Sequence, residues 1–287
     1  MTDFPRNQYP PQGVDLDHPS VARVYDYYLG GTANWEIDRR FGERALLAFP
    51  FVRPAAKANR QFLHRAVRHL AKLGVRQFVD VGSGIPTMGP THQVADAIDP
   101  TSTVVYVDNE PIAVAHSRVL LDEHGDPRRH AAINADLRDP AGLWERIGET
   151  GVIDFDQPIA LLLLAVLHVQ QLDEDGIDRG PKIVARYRDL LSPGSYLVIS
   201  HGTADGVPES RATDMATFAR MYEQSSSPVA WRPRAEIDAL FGDLELLEPG
   251  TTWTPLWHPE ESTADDPVLD FASPSDSVVW AGVARKN

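Results

Sequence analysis

Apolar and polar positions follow two alternating patterns through the larger part of the chain. Short apolar runs bounded by turn residues predict buried strands, and apolar positions at helical spacing predict helices. The two kinds of segment alternate from residue 75 onward, and the clearest apolar runs are QFVDV, TVVYVD, PIALLLLAVL and SYLVISH. Parallel strands need crossovers of about a dozen residues, so the alternation predicts an α/β fold with a mostly parallel sheet and helices on both faces.

Helical spacing also dominates the residues before the first strand. Three helices are predicted: over residues 17–31, from a cap at Asn34 to about residue 48, and over residues 55–73. The Lys and Arg side chains between residues 57 and 76 are interpreted as the solvated face of the third helix.

The chain is expected to form three parts. Residues 1–16, rich in proline and poor in apolar residues, are predicted to be a disordered tail. Residues 17–74 form a helical cap, and residues 75–287 form the α/β domain in one compact unit with the cap. The domain is predicted to close with two strands, LELLE and SVVWAGVAR, joined by a long loop over residues 250–277.

Charge and composition limit the partners. The formal net charge of −14 repels phosphate backbones and anionic lipids, which disfavours nucleic-acid and membrane partners. The sequence contains no cysteine and no recognisable signal peptide, so we expect a cytoplasmic protein. The ten histidines are scattered without a ligand pattern, and no metal site is predicted.

The strongest local signal is VDVGSG, residues 79–84, where a predicted strand ends in a glycine turn. Glycine lets the backbone approach a ligand closely, at the carboxyl end of the sheet. Asp108 ends the next strand, where a carboxylate can accept hydrogen bonds from both hydroxyls of a ribose. Nicotinamide enzymes use the same device, so the pair by itself does not choose between cofactors.

Two residues favour a nucleoside without a pyrophosphate. Thr87 stands where a G-x-G-x-x-G motif would have its third glycine. The carboxylate of Asp80 would repel a pyrophosphate but suits a cationic sulfonium ligand. It could instead cap a turn or pair with a basic side chain. A third, weaker strand is predicted over HAAINADL, and Asp136 at its end could accept a hydrogen bond from an adenine amino group or could cap a turn.

Longer segments carry a family resemblance. VDVGSGIPT, VVYVDNEP, NADLRDP, LLLLAVLH and LSPGSYLVISH resemble, in order and spacing, successive motifs of class I S-adenosylmethionine-dependent methyltransferases. HPSVARVYDYYLGGTANWEIDR, LFGDLELLEPG and WTPLWHP resemble segments of a bacterial S-adenosyl methyltransferase family. The resemblance runs from about residue 18 to the C-terminus. It implies a seven-stranded sheet whose last strand is antiparallel.

The resemblance also implies a set of residues that bind S-adenosylmethionine. The methionine part would lie on the glycine turn, the ribose on the acid of the second strand and the adenine beside the ends of the second and third strands. The residues are, in the same order, Gly82, Ser83 and Gly84; Asp108; and Asn109, Asp136 and Leu137. The chain departs from the family at Pro86, which replaces a third glycine, and at Thr32-Ala33, where relatives often have a lysine and an acid.

The first helix would close over the cofactor. Arg23 could pair with the cofactor carboxylate, or with Asp26 or Asp17. Tyr27, like its neighbours Tyr25 and Tyr28, could present a ring face to the sulfonium, although most of these rings are expected to pack in the core or at its rim.

Methyl transfer to a hydroxyl or ammonium group needs a base to remove the proton. His168 follows the fourth strand and His201 follows the fifth, so both are candidate bases at the cofactor's edge of the sheet. Each could instead hydrogen-bond a nearby loop, and His258 is a weaker candidate. We predict a methyltransferase acting on a small-molecule acceptor. The alternatives are a non-catalytic cofactor-binding protein and a nicotinamide-dependent oxidoreductase.

Overall fold

The computed structural model describes residues 17–223 and 228–287. The predicted disordered tail, residues 1–16, lies outside the described residues. The helical cap contains α1 (Val21–Leu29), α2 (Glu36–Ala48) and α3 (Val52–Lys72). Among the described residues, no helix combines the length and the apolar composition needed to cross a membrane.

Strands and helices alternate after the cap, as the pattern predicts. The first group is β1 (Gln77–Val81), α4 (Thr91–Asp96), β2 (Thr103–Asp108), α5 (Pro111–His124), β3 (His130–Asn134), α6 (Pro140–Glu149), β4 (Ile159–Leu164), α7 (Gly180–Leu190) and β5 (Tyr196–Gly202). The second group is α8 (Glu209–Glu223), α9 (Arg234–Ala239), β6 (Glu245–Leu246), β7 (Thr252–Trp253) and β8 (Val279–Arg285).

The strands form one sheet in the order β3-β2-β1-β4-β5-β8-β6, and β7 pairs with β8 outside this path. Strands β1 to β5 are all parallel to one another, and β8 runs antiparallel to β5, with Tyr196 opposite Arg285. This confirms the α/β fold with an antiparallel last strand. The strand order reverses between β1 and β4, and ligands of open α/β sheets bind at such a switch point.

Two details of the prediction are wrong. The sheet has eight strands instead of seven, because β7 and several short 3-10 turns occupy the segment predicted as a long loop. Asn34 does not cap α2, which begins at Glu36. Its side-chain amide instead donates to Asp26 at 2.8 Å and to the Gly31 carbonyl at 2.9 Å, while Asp38 accepts from the backbone amide of Trp35 at 2.8 Å.

Helix α3 connects the cap to the sheet. Its buried apolar side chains, from Phe62 to Ala71, belong to the same core cluster as Phe78 of β1 and Val104 of β2. Arg65, also on α3, is buried and donates to the carbonyl oxygens of Trp257 at 2.9 Å and Thr254 at 2.5 Å. The cap therefore rests on the sheet through a continuous apolar core.

Candidate active site

The glycine turn after β1 and the acid that ends β2 are joined directly. The backbone amide of Gly84 donates to Oδ2 of Asp108 at 2.8 Å, and the amide of Glu110 donates to Oδ1 at 2.9 Å. The amides of Gly82 and Ser83 donate to the Val107 carbonyl at 2.8 and 3.1 Å. Burial raises the pKa of Asp108, and the backbone donors oppose that rise.

Each of the two glycines is required for its own reason. Gly82 has φ +70°, and a Cβ there would lie 2.4 Å from a methyl carbon of Val166. Gly84 has φ +60°, but a Cβ there would meet nothing within 4 Å, because open space lies beside it. On one side the turn thus packs against Val166, in the segment that follows β4. On the other side it leaves room for a ligand.

That room is part of a cavity of about 630 Å³ between the cap and the sheet. Eight of the residues predicted to form the site line it: Arg23, Gly82, Ser83, Gly84, Asp108, Asn109, Leu137 and His168. Three lie outside its wall: Tyr27, Asp136 and His201. Ser83 contributes a buried hydroxyl with no hydrogen-bond partner among the described residues, which leaves it available to a ligand.

Two opposite charges share the sheet side of this cavity. Asp80 accepts a hydrogen bond from Thr91 at 2.7 Å, and burial raises its pKa while the charge of Arg60 opposes the rise. The Arg60 side chain is 91% buried yet makes no hydrogen bond or ion pair with any residue in the described part of the chain. A buried guanidinium that no carboxylate contacts is costly, so it indicates a site for an anionic group.

Arg60 and Arg65 were predicted to lie on the solvated face of α3, and this prediction is wrong because both are buried. The missed signal is helical spacing. Arg60 lies in line with Ala56, Leu63 and Val67, all buried, so its side chain must point inward with them.

Arg23 connects three parts of the structure. Its guanidinium donates to Asp38 of α2 at 2.7 Å, to Glu110 after β2 at 3.2 Å and to the His18 carbonyl at 3.1 Å. The side chain is only 2% exposed. Asp26, one of its predicted partners, instead accepts from Thr87 of the glycine loop at 2.7 Å. Helix α1 is therefore bonded to the loops that follow β1 and β2.

The tyrosines of α1 divide between the cavity and the cap. Tyr25 and Tyr28 line the cavity, whereas Tyr27 packs against Gly42 of α2 and has the Arg53 guanidinium 5.0 Å from its ring centre.

At the end of β3, the cavity wall contains Leu137 and Arg138. Asp136 lies behind them and accepts from the Nε of Arg138 at 2.9 Å. Hydrogen bonds from Arg138 lower the pKa of Asp136.

The two candidate bases have different surroundings. His168 lines the cavity, its buried Nδ1 has no hydrogen-bond partner among the described residues, and burial lowers its pKa to about 4. His201 is fully buried, with its ring centre 5.9 Å from that of His168. Its Nδ1 donates to the Gly202 carbonyl at 2.8 Å and its Nε2 accepts from Arg232 at 3.0 Å. Burial lowers the pKa of His201 to about 3, with a further contribution from His168.

His258 lies away from both. Its ring stacks on His69 with 4.1 Å between centres, and Glu260 is within 2.5 Å of its Nδ1. The described residues contain no group of three His, Asp or Glu side chains arranged to hold a metal ion.

Comparison with known proteins gives a fold class and then a family. An O-methyltransferase family protein from Burkholderia thailandensis has the same fold, with a TM-score of 0.50, 15% identity and coverage of 82% of this chain and 59% of its own. A family model described as S-adenosyl methyltransferase matches residues 7–287, so the chain belongs to that family.

Two solved structures are similar over nearly their whole length. A protein from Thermobifida fusca YX with a provisional methyltransferase assignment has 38% identity and a TM-score of 0.82, covering 98% of this chain and 99% of its own. A DUF574 family protein from Streptomyces avermitilis MA-4680 has 37% identity and a TM-score of 0.82, covering 94% and 98%. The search of curated proteins gave no match.

The protein is thus an S-adenosylmethionine-dependent methyltransferase, and S-adenosylmethionine is its expected cofactor. This resolves the choice of cofactor that the glycine turn and Asp108 left open. The family description names no methyl acceptor.

Proposed function

We propose that the cavity binds S-adenosylmethionine by its two ends and that the methyl acceptor is a small molecule. The observation that carries the proposal is the unpaired, buried guanidinium of Arg60 near Asp80, in the same cavity as the Gly84–Asp108 pair. A zwitterionic amino acid and a ribose are the chemical groups that complement these two ends.

Each end has its own residues. Arg60 would bind the carboxylate of the methionyl group, Asp80 its ammonium group, and the turn from Gly82 to Gly84 would lie against the chain between them. Asp108 would accept hydrogen bonds from the ribose hydroxyls. Asn109 and Leu137 line the part of the cavity that would receive the adenine.

The remaining predicted cofactor residues would act through their neighbours and not by contacting the cofactor. Arg23 holds Glu110, the residue that follows Asn109, and would keep that loop in place. Asp136 would orient Arg138 at the rim. Tyr27 would support α1 against α2 and would not touch the cofactor.

The bound cofactor supplies a methyl group on a sulfonium, which is a good leaving group. The protein's own task is to align an acceptor and to take its proton. His168 is neutral at pH 7 because its pKa is about 4, so its imidazole has a lone pair available to accept that proton. We assign His201 a positioning role behind His168, because both of its ring nitrogens are already hydrogen-bonded.

The acceptor is proposed to be small because the cavity of about 630 Å³ must also hold the cofactor, and because the net charge of −14 opposes nucleic acid. The absence of cysteine from the 287 residues suits a reducing compartment, and we propose the cytoplasm.

Two ligands test the assignment of Arg60. S-adenosylhomocysteine contains the amino acid group, and 5′-methylthioadenosine lacks it. We expect Arg60→Met to weaken binding of S-adenosylhomocysteine by about tenfold or more, the usual cost of losing a charge-assisted hydrogen bond. Binding of 5′-methylthioadenosine should stay the same within about twofold.

Lys57→Met is the matched control, since it removes a cation from the same helix outside the cavity wall. Calorimetric titration measures all four combinations. Equal losses for both ligands, or no loss for either, would show that Arg60 does not bind the carboxylate.

A further inference from the structure

The cavity continues beyond the residues assigned to the cofactor. Its far part lies between the cap and α8, and we call it the aromatic chamber. It is lined by Tyr25, Tyr28, Phe49, Phe218, Tyr222 and Trp231.

The aromatic rings of the chamber pack against one another in tilted and edge-to-face arrangements. Phe49 meets Phe218 edge to face, with 5.8 Å between ring centres and 69° between planes. Trp231 lies 5.9 Å from Phe218, and Tyr222 lies 4.7 Å from it. Tilted rings at these separations are the favoured aromatic geometry, and a further flat ring could join them in the same way.

The polar atoms of the chamber already have partners. The hydroxyl groups of Tyr28 and Tyr222 lie 3.1 Å apart, and the indole N–H of Trp231 donates to the Met215 carbonyl at 3.0 Å. The hydroxyl of Tyr25 donates to the Ala56 carbonyl at 3.2 Å. Burial raises the pKa of Tyr28 and of Tyr222, so both phenols remain neutral.

The charged lining residues of the cavity are Arg23, Arg60, Asp80, Asp108, Glu110 and Arg138, and none of them is one of the six chamber rings. The charge of Arg60 nevertheless acts on the chamber residue Tyr25, where it opposes the rise of the pKa caused by burial. Helix α8 contributes only Phe218 and Tyr222 to the lining, and the segment after α2 contributes Phe49. With the cofactor carboxylate on Arg60, an ionised group in the chamber would lose its hydration without gaining a partner.

We infer that the aromatic chamber binds the methyl acceptor and that this acceptor is an uncharged, flat aromatic molecule. The inference rests on the proposed function, because the chamber is continuous with the cavity assigned to the cofactor. His168 also lines this cavity, so a hydroxyl on the aromatic ring would share the cavity with the proposed base.

The experiment uses three probes on the full chain saturated with S-adenosylhomocysteine. The first is 2-naphthol, which is flat and uncharged. The second is 2-naphthoate, which has the same rings and a negative charge. The third is 2-decalol, which has the hydroxyl and the carbon skeleton but is not flat. Calorimetry should give binding of 2-naphthol at least about tenfold tighter than either of the others.

Two variants connect this preference to the chamber. Ala56→Phe on α3 and Val229→Phe on the segment after α8 each add a ring to the chamber wall from a different side. Each should weaken 2-naphthol binding by about tenfold or more, because the space is filled. Unchanged affinity for S-adenosylhomocysteine checks that each variant is folded, and either variant alone is sufficient.

The inference is overturned if 2-naphthol does not bind, if 2-naphthoate or 2-decalol binds as tightly, or if folded variants keep their affinity for 2-naphthol. Failure of the wild-type protein to bind S-adenosylhomocysteine would instead contradict the proposed function. The two failures are therefore measured separately.

Discussion

The backbone amide of Gly84 and the carboxylate of Asp108 are joined by a hydrogen bond of 2.8 Å. Gly84 lies in the turn that follows β1, Asp108 ends the adjacent parallel strand β2, and the bond fixes the distance between the turn and this carboxylate before any ligand arrives. Since a second oxygen of the same carboxylate accepts from Glu110, Asp108 organises the loop on each side of it.

Asp108→Asn should therefore weaken cofactor binding. An amide cannot accept from both backbone donors and two ribose hydroxyls, and the loss should be about 1–3 kcal/mol. Calorimetry should show the loss for both S-adenosylhomocysteine and 5′-methylthioadenosine, because both contain the ribose. Asp122→Asn on the exposed side of α5 is the control. Unchanged affinity in Asp108→Asn would mean that the ribose lies elsewhere.

Gly82→Ala should destabilise the fold more than a comparable change elsewhere. Gly82 and Gly151 have nearly the same φ, +70° and +66°, but only the first would place its Cβ against Val166, at 2.4 Å. Both alanine variants incur the left-handed backbone cost of about 1–2 kcal/mol, and Gly82→Ala adds overpacking of about 1–3 kcal/mol. Urea unfolding compares them, and equal losses would show that Val166 moves aside freely.

Arg23→Met should be strongly destabilising, because it leaves the fully buried carboxylate of Asp38 without its partner at 2.7 Å. Breaking a buried ion pair from one side costs about 3–5 kcal/mol. Arg40→Met is the matched control, since its ion pair with Glu36 is 73% and 69% exposed and contributes about 0–1 kcal/mol. Similar unfolding free energies for the two variants would contradict the assigned burial of the Arg23 pair.

His168 should make the fold sensitive to acid. Burial lowers its pKa from 6.5 to about 4. As the pH falls below about 6.5, His168 therefore becomes protonated in the unfolded chain but stays neutral in the folded protein. Its contribution to stability is complete above that range and is lost down to about pH 4.

His168→Gln should thus reduce the slope of unfolding free energy against pH by about 1 kcal/mol per pH unit between about pH 6 and pH 5. Urea unfolding at several pH values measures the slope, and His124→Gln, at an exposed histidine, is the control. An unaltered slope in His168→Gln would indicate that His168 ionises in the folded protein as it does in the unfolded chain.

Sequence alone predicted those candidate site residues that directly follow or end a strand. The glycine turn and Asp108 each follow an apolar run, and parallel strands bring their carboxyl ends to one edge, so their meeting follows from local pattern and topology. Arg60 was missed because its role depends on the face of α3 that contacts the sheet. The sequence contained that spacing, but charge was taken as a sign of exposure.

Side chains on one short helix were harder to assign. Successive residues of a helix point about 100° apart. A small error in the predicted orientation of α1 therefore changes which of Tyr25, Tyr27 and Tyr28 faces the cavity. The aromatic chamber has no sequence signature at all, because its rings come from α1, α8 and two loops that meet only in the folded chain. The two-residue strand β7 is too short to show a period.

Helix α1 faces in two directions at once. Arg23 and Asp26 bond it to Glu110 and Thr87, next to the cofactor loops, while Tyr25 and Tyr28 of the same nine-residue helix line the aromatic chamber. Evolution toward a new acceptor through α1 would thus disturb methyl-donor affinity as well. Phe218 and Trp231 line the chamber without bonding to the loops next to the cofactor. Relatives that differ in acceptor should therefore diverge first at those two positions.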